Sequence, residues 1–424
     1  MFQARTDRGI ATKPLAVVVW LLLALIVLPC TAYAGKKKEQ PAPAKPQKRE
    51  PKLEDFDLSK IVFPNPPAIA RVRTLGYFVG QKVEKDTKKQ KAKSGWMDKL
   101  AGAKPVDVQK DTNIPFQLIA PNGIAMDSKG MVYTADYRVG AIFIFNPETK
   151  ESELIKTRSA ANFKTINGVA IDDNDRLFVS DSGFHHILVF DKQHKVVDQI
   201  EGGLITPNGL AVDNENRLLY VADTDLDQVL VYDLDSLKLK RKMGTTGKKH
   251  ELTDAGNFAW PTGVAVDGDG NVYVADTLND RIEIFDADGN FISMFGKNCD
   301  GPGCLQRPKG VAVDSDGNIW VVDTMMSRLQ AFTQDGQLLI SFGGFGKYPG
   351  QFSDLASIMI DKNNRIFTSE MQPGRIQIFR YITNEEAEKE KARREEERLK
   401  NAGKPGDSKQ KENAGAATPP KGGQ

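Results

Sequence analysis

The sequence predicts an all-β fold, a six-bladed β-propeller of four-stranded antiparallel blades. The first observation is a pattern that occurs six times between residues 121 and 381, from PNGIAMDSKGMVYTAD to LASIMIDKNNRIFTSE. The second is its period: the glycines that open the first five copies lie about 41 to 54 residues apart, which is typical of propellers and solenoids. These glycines are Gly123, Gly168, Gly209, Gly263 and Gly310.

Each copy contains the elements of one blade. A short apolar run (GVAVD) leads through a tight turn (GDG) to an alternating run (NVYVAD), and a third run ends in an aromatic residue (RIEIF). A fourth run such as NFISMFG follows after another polar turn. Four antiparallel strands repeated around an axis form a propeller.

The last copy ends at Tyr381 without a fourth run, whereas residues 71–80 (RVRTLGYFVG) have that pattern and precede the first copy. We therefore expect residues 71–80 to complete the last blade, because this pairing leaves the ring without an open edge.

The repeated segments, such as GVAVD, NVYVAD and RIEIF, resemble the NHL-repeat family of six-bladed propellers over residues 121–381. The resemblance implies the fold but leaves the function broad, since relatives include protein- and RNA-binding modules, receptor sensor domains and a lyase. The stretch FPNPPAIARVRTLG is similar to the lead-in of exported bacterial members.

The N-terminus predicts export. Basic residues precede an apolar run over residues 15–28, and Ala32-Tyr33-Ala34 follows, so residues 1–34 fit a cleaved secretory signal. An uncleaved anchor and a lipidated Cys30 are the alternatives. The mature chain is then expected in the periplasm or outside the cell, associated with the envelope and without an integral membrane span.

The remaining segments follow from composition. Residues 35–60 are predicted to be a disordered Lys/Pro-rich tether, and residues 61–118 a lead-in that holds the closing strand and a Lys-rich insert. The propeller occupies residues 119–382 and a charged single helix residues 383–401, where Glu and Lys or Arg alternate at i,i+4. A disordered tail, residues 402–424, ends the chain.

Cys299 and Cys304 lie in KNCDGPGC. In an oxidising compartment two cysteines so close together most simply form a disulfide, while free thiols and a ligand site are the alternatives.

Acidic residues end the first and second strands of every copy. A residue that recurs in each blade solves a problem that each blade has, so we expect these acids to accept backbone N–H groups or to pair with Arg281, Arg328 and Arg375. The first strands end in Asp127, Asp172, Asp213, Asp267, Asp314 and Asp361, and the second strands in Asp136, Asp181, Asp223, Asp276, Asp323 and Glu370.

The residue before each opening glycine varies and is expected at one mouth of the axial channel. From the first blade to the sixth these residues are Asn122, Asn167, Asn208, Thr262, Lys309 and Ala356. They are interpreted as turn residues, as a ligand-binding mouth (the first five), or as a metal site. Lactonases of the gluconolactonase type resemble this pattern and place such Asn or Asp residues on a catalytic calcium. Here the residues are neutral and Lys309 would repel a cation.

Loops on the same face contain aromatic residues, methionines and histidines that suit a partner-binding surface, although packing between blades would equally explain them. The candidates are Tyr137, Arg138, His185, His186, Trp260, Met325, Met326 and Tyr348. With only four histidines in the chain, a zinc site is not expected.

We therefore predict a non-catalytic exported scaffold that binds a protein partner of the cell envelope, or a small ligand, through its loop-rich face. No catalytic residue, metal ligand or cofactor is expected. The alternative is a calcium-dependent, lactonase-like or lyase-like enzyme that uses the Asn-lined mouth. A net charge of +2 argues against nucleic acid as a partner.

Overall fold

The computed structural model describes residues 50–80, 117–156, 162–244 and 254–402. The predicted signal segment, most of the first tether, the Lys-rich insert and the C-terminal tail lie outside the described residues. The described residues from Lys52 onward belong to one compact unit.

The described residues form the predicted six-bladed propeller, with each inner strand antiparallel to the second strand of its blade. Blade 1 consists of β3 (Pro121–Met126), β4 (Val132–Asp136), β5 (Ala141–Phe145) and β6 (Ser152–Lys156). Blade 2 consists of β7 (Ile166–Ile171), β8 (Leu177–Asp181), β9 (His186–Phe190) and β10 (Val196–Glu201). Blade 3 consists of β11 (Pro207–Asp213), β12 (Leu218–Asp223), β13 (Gln228–Asp233) and β14 (Leu239–Met243).

The second half of the ring repeats this arrangement. Blade 4 consists of β15 (Pro261–Val266), β16 (Val272–Asp276), β17 (Arg281–Phe285) and β18 (Phe291–Phe295), with a 3-10 turn at Thr277–Asn279. Blade 5 consists of β19 (Pro308–Val313), β20 (Ile319–Asp323), β21 (Arg328–Phe332) and β22 (Leu338–Gly343). Blade 6 contains β23 (Leu355–Ile360), β24 (Arg365–Glu370) and β25 (Arg375–Tyr381).

Strand β2 (Val72–Phe78) completes blade 6 from the N-terminal side and confirms the predicted ring closure. It pairs antiparallel with β25, from Val72 opposite Tyr381 to Phe78 opposite Ile376. A two-residue strand, β1 (Val62–Phe63), pairs with the outside of β2 and was not foreseen from the sequence. Blade 6 is therefore a five-stranded sheet.

The core lies between blades rather than within them. Each of the six clusters of buried apolar side chains joins two neighbouring blades, and the last cluster joins blade 6 to blade 1. Because successive side chains of a strand point to opposite faces, every blade contributes one face to each neighbour. The second strands are buried except at Arg365, and the fourth strands of blades 1 to 5 are largely exposed or half-buried. Strand β2 is mostly buried.

Part of the predicted disordered tether is ordered, which corrects the prediction for residues 50–60. Short 3-10 turns occur at Leu53–Asp55 and Leu58–Lys60. The ring of Phe56 lies 5.1 Å from that of Tyr348. This end of the tether therefore packs against the propeller, because it carries apolar side chains among its charged ones.

The C-terminal helix α1 (Asn384–Ala402) begins with a capping box. The Thr383 N–H donates to Glu386 Oε2 over 3.1 Å, and the Glu386 N–H donates to Thr383 Oγ1 over 3.3 Å. Ion pairs at the predicted i,i+4 spacing form along its exposed surface, between Glu385 and Lys389, Glu390 and Arg394, and Glu396 and Lys400. Of the helices in the described part of the chain, none is long and apolar enough to cross a bilayer.

Candidate functional site

The acidic residues at the strand ends hold the backbone of the loops. Asp136 accepts hydrogen bonds from the N–H groups of Ile119 and Ala120 over 2.6 and 2.9 Å, and also from those of Arg138 and Val139. The same arrangement recurs at Asp181 in blade 2. The structural interpretation of these acids is confirmed, since buried backbone donors require partners.

The predicted pairing with arginine holds in two of three blades. Arg281 contacts Asp276 over 3.0 Å, and Arg375 contacts Glu370 over 2.6 Å. In blade 5 Asp323 takes the other expected role and accepts from the N–H groups of Gln306 and Met326 over 2.6 and 3.1 Å. The described residues provide no ion pair for Arg328, whose Nη1 is buried without a hydrogen-bond partner.

The residue before each opening glycine occupies a β-bulge. In blade 1 Pro121 lies opposite Asp136 but Ile124 lies opposite Thr134, so the inner strand holds one residue more than its partner. The same shift occurs in the other five blades. Bulges re-aim side chains and are frequent beside functional sites.

The opening glycines are required by the close approach of neighbouring inner strands. A Cβ atom at Gly168 would lie 2.1 Å from the carbonyl oxygen of Asn208, and one at Gly263 would lie 2.2 Å from that of Lys309. No side chain fits at such distances, so the glycine serves packing, and the bulged residue before it is left to vary from blade to blade.

A cavity of about 260 Å³ opens at this end of the axis, and we call it the cup. Five of the six bulged residues line it: Asn122, Asn208, Thr262, Lys309 and Ala356. Its inner wall is a ring of six aliphatic side chains that follow the opening glycines or, in blade 6, Ser357: Ile124, Val169, Leu210, Val264, Val311 and Ile358. Trp260 and Met371 also border it.

Asn167 is the bulged residue that does not line the cup. Its amide Nδ2 donates to Ser182 Oγ over 2.8 Å, which holds the side chain against its own blade. Asn208 makes a longer bond of 3.4 Å to Thr224 Oγ1, and the Thr262 hydroxyl donates to the carbonyl oxygen of Lys309 over 3.0 Å.

The cup has one charged lining residue, Lys309. Burial lowers the pKa of its ammonium group, and Asp354, whose Oδ1 lies 3.9 Å from Nζ, acts in the opposite direction. No carboxylate lines the cup, and within the described ranges no group of three His, Cys, Asp or Glu residues could hold a metal ion. A calcium ion does not fit this lining, because calcium favours carboxylate oxygens.

The loops between second and third strands surround the cup. Each second strand ends opposite the start of its inner strand, as Asp136 does opposite Pro121, so both features lie on one face. On this face Trp260 and Met325 are exposed, whereas Met326 is half-buried. Tyr348 is partly covered by Phe56.

The other predicted partner residues differ in exposure. Arg138 is exposed and lies over the half-buried ring of Tyr137, with 5.9 Å between the guanidinium carbon and the ring centroid. His185 is exposed and its Nδ1 contacts the carbonyl oxygen of Ile205. His186 is half-buried, and none of the described residues hydrogen-bonds to its enclosed Nε2.

Exposed apolar side chains occur once per blade on the loop face, and we call this set the apolar ring. Their exposed fractions lie between 42% and 82%. The six residues are Ile119, Phe184, Ile205, Trp260, Met325 and Phe345. Ile119 and Ile205 were missed from the sequence, because a single aliphatic residue before an inner strand resembles an ordinary core residue.

A disulfide joins Cys299 and Cys304 in the loop that leads into blade 5, as predicted, with 5.2 Å between their Cα atoms. Gln330 holds the same loop, since it donates to the carbonyl oxygen of Cys304 over 2.7 Å and accepts from the N–H of Gly303. This loop is therefore fixed both covalently and by hydrogen bonds.

The fold and the site define a six-bladed β-propeller with an axial cup on its loop-rich face. Residues 305–332 match the family described as NHL repeat. Residues 194–304 match the family described as SMP-30/Gluconolactonase/LRE-like region. The predicted resemblance to NHL-repeat propellers is thereby confirmed.

Relatives differ in function and match only parts of the chain. A gluconolactonase of Zymomonas mobilis is 25% identical over 201 residues, 43% of this chain and 55% of the relative. A probable peptidyl-alpha-hydroxyglycine alpha-amidating lyase of Caenorhabditis elegans is 36% identical over 110 residues, 26% of this chain and 31% of the relative. Protein brain tumor of Drosophila melanogaster is 28% identical over 141 residues, 32% of this chain and 12% of the relative.

Solved structures with a similar chain path include a streptogramin B lyase, at 14% identity and a TM-score of 0.46, which covers 63% of this chain and 85% of that one. A Xanthomonas campestris gluconolactonase has 19% identity and a TM-score of 0.47, and it covers 63% of this chain and 89% of that one. At these values nothing about activity follows.

Proposed function

We propose that this protein is a non-catalytic propeller that is exported and binds a protein partner of the cell envelope through its loop-rich face. The observation that carries the proposal is the apolar ring. All six blades contribute one such exposed side chain to the same loop face, and apolar side chains that share an exposed face are a common feature of protein-binding surfaces. Aromatic and methionine side chains are also enriched at protein interfaces.

The scaffold around the ring supports this function. The blades pack on each other through six apolar clusters, and β2 closes the circle, so the loops are held on a rigid frame. Binding residues are often carried on loops that a rigid scaffold positions. A rigid face also loses less conformational entropy when it binds.

The test removes apolar ring residues that do not line the cup. The full chain with Phe184→Ala, Met325→Ala and Phe345→Ala should no longer recover its partner from envelope extract. The matched control replaces equally exposed apolar residues on outer strands, Val197→Ala, Ile292→Ala and Leu339→Ala, and should recover it as the unaltered chain does. Equal recovery by both variants would exclude the loop face as the binding surface.

Export is tested separately. Cell fractionation with N-terminal sequencing of the mature protein should give an envelope protein that begins after Ala34. A cytosolic protein that retains residues 1–34 would contradict this part of the proposal.

A calcium-dependent lactonase is the alternative, and the match of residues 194–304 to the gluconolactonase family favours it. The cup argues against it, because its one charged lining residue is a lysine. Calorimetry with calcium, together with lactone hydrolysis in the presence and absence of EDTA, decides between the two functions. Calcium binding with EDTA-sensitive hydrolysis would support the enzyme.

A further inference from the structure

The cup combines a single positive charge with an apolar inner wall. Lys309 is the one ionisable residue that lines it, and the ring of six aliphatic side chains lies below. The nearest carboxylate, that of Asp354, is 3.9 Å from the Lys309 Nζ, at the long limit of an ion pair, and does not line the cup. The ammonium group can therefore bind a second anion that approaches from the cavity.

We infer that the cup binds an aliphatic carboxylate, with the carboxylate on Lys309 and the hydrocarbon part against the aliphatic ring. The inference rests on the proposed function, because the cup opens at the centre of the proposed binding face. A charge-assisted hydrogen bond in a partly desolvated site is stronger than a neutral one. Asn122 supplies a further donor at the rim, since within the described residues its amide makes no hydrogen bond.

The size of the cup limits the ligand. A cavity of about 260 Å³ lies below the range of about 300 to 1,000 Å³ that is usual for small-molecule pockets, which suits a short or branched acid. Two sources have this chemistry: a free short-chain acid, and the C-terminal carboxylate of a polypeptide that ends in an aliphatic residue. Both place a carboxylate next to a small hydrocarbon group.

The experiment measures affinity by calorimetry with the purified full chain. The probes are hexanoate and its amide, and a tripeptide ending in valine with either a free or an amidated C-terminus. We expect at least one acid to bind about tenfold or more tightly than its amide, because hydrogen bonds to charged groups are the stronger ones. Whether hexanoate or the peptide binds more tightly identifies the source.

Variants assign the preference to Lys309. Lys309→Gln should lose the preference for acid over amide, while Lys309→Arg should retain most of it. The matched control is Lys362→Gln, because Lys362 lines the cavity on the other side of the aliphatic ring and not the cup, and should not matter. Equal affinity for acid and amide, a preference that survives Lys309→Gln, or no binding of any probe would each overturn the inference. Circular dichroism melts of every variant show that it is folded.

The result is distinguishable from that of the proposed function. Phe184, Met325 and Phe345 do not line the cup, so their triple variant should still bind the acid. Loss of partner recovery without any acid binding would remove the cup proposal alone. Acid binding with unchanged partner recovery in the triple variant would remove the proposed partner surface alone.

Discussion

Blades 1 to 3 and blades 4 to 6 differ in the kind of side chain that they bury at one position of the third strand. The third residue of the third strand is buried in all six blades. In the first half it is apolar: Phe143, Leu188 and Leu230. In the second half it is polar: Glu283, Gln330 and Gln377.

The polar residues of the second half hold the loops that lead into their blades. Gln377 donates to the carbonyl oxygen of Gln351 over 2.9 Å and accepts from the N–H of Gly350 over 2.9 Å. Glu283 accepts from the N–H of Gly256 over 2.8 Å. Blades 5 and 6 are entered through residues 296–307 and 344–354, whereas residues 202–206 suffice for blade 3.

In blades 4 to 6 the buried polar residue accompanies a long entry loop, whereas blade 3 combines a short entry loop with an apolar residue. A long loop carries many backbone donors and acceptors, and a buried side chain with both functions can satisfy several of them. The short loop into blade 3 needs no such support, and there the apolar Leu230 fills the position and packs between blades. Three predictions test this comparison.

The largest effect is expected from Arg375→Met in blade 6. Arg375 and Glu370 are both fully buried, and Arg375 also donates to the carbonyl oxygen of Gln351. The variant should lower the free energy of unfolding by about 3 to 5 kcal/mol, because it leaves the Glu370 charge uncompensated. Denaturant unfolding measures the loss.

The control is Gln228→Met at the same strand position in blade 3. Among the described residues the Gln228 amide makes only a 3.5 Å bond to the carbonyl oxygen of Gly244, and its Oε1 has no partner. The cost there should be about 1 kcal/mol or less. Similar losses in both variants would mean that the two halves are held in the same way.

A medium effect is expected from replacing both Cys299 and Cys304 by serine. Loss of a bridge that closes so short a loop should lower stability by about 2 kcal/mol, since the unfolded chain regains freedom. Calorimetry of the unaltered protein under reducing conditions should show the same decrease. An unchanged melting temperature would imply that the hydrogen bonds of Gln330 fix this loop without the bridge.

The smallest effect is expected from Glu283→Gln, which gives blade 4 the residue type of blades 5 and 6. Burial raises the pKa of Glu283 to about 7, and the charge of Arg281 opposes the shift. Because the folded-state pKa lies above the ordinary value of 4.5, the group penalises folding most above pH 7, and the penalty fades as the pH falls toward 4.5.

Glu283→Gln should therefore raise the free energy of unfolding at pH 8 by on the order of 1 kcal/mol and flatten its rise between pH 8 and 5. Unfolding curves at several pH values measure this. Glu153→Gln on the exposed outer strand of blade 1 serves as the control and should leave the pH profile unchanged. A variant that is less stable at pH 8 would show that Arg281 needs the Glu283 charge.

The sequence predicted what the repeat itself specifies. Six copies gave six blades, the missing fourth run located β2, and the variable residue before each glycine located the rim of the cup. These predictions hold because a residue at a given place in the repeat occupies the same place in every blade. The disulfide could also be predicted from the sequence, since only a short loop separates Cys299 from Cys304.

Contacts that do not recur from blade to blade could not be predicted from the sequence. Strand β1 and the turn at Phe56 have no second copy in the chain, so no pattern shows that Phe56 covers part of Tyr348. Asn122 and Asn167 both directly precede the opening glycine of their blade, yet Ser182 holds the Asn167 amide away from the cup.

By itself, then, the sequence determined the number of blades, the closure of the ring and which residues surround its axis, because period and register are properties of the chain. The tertiary structure alone decided which of those residues line the cup, and that Lys309 is the one charged residue among them. It also decided which apolar loop residues stay exposed. The physical reason is that exposure and charge environment are set by neighbours from other blades and from the lead-in, whose positions no local pattern encodes.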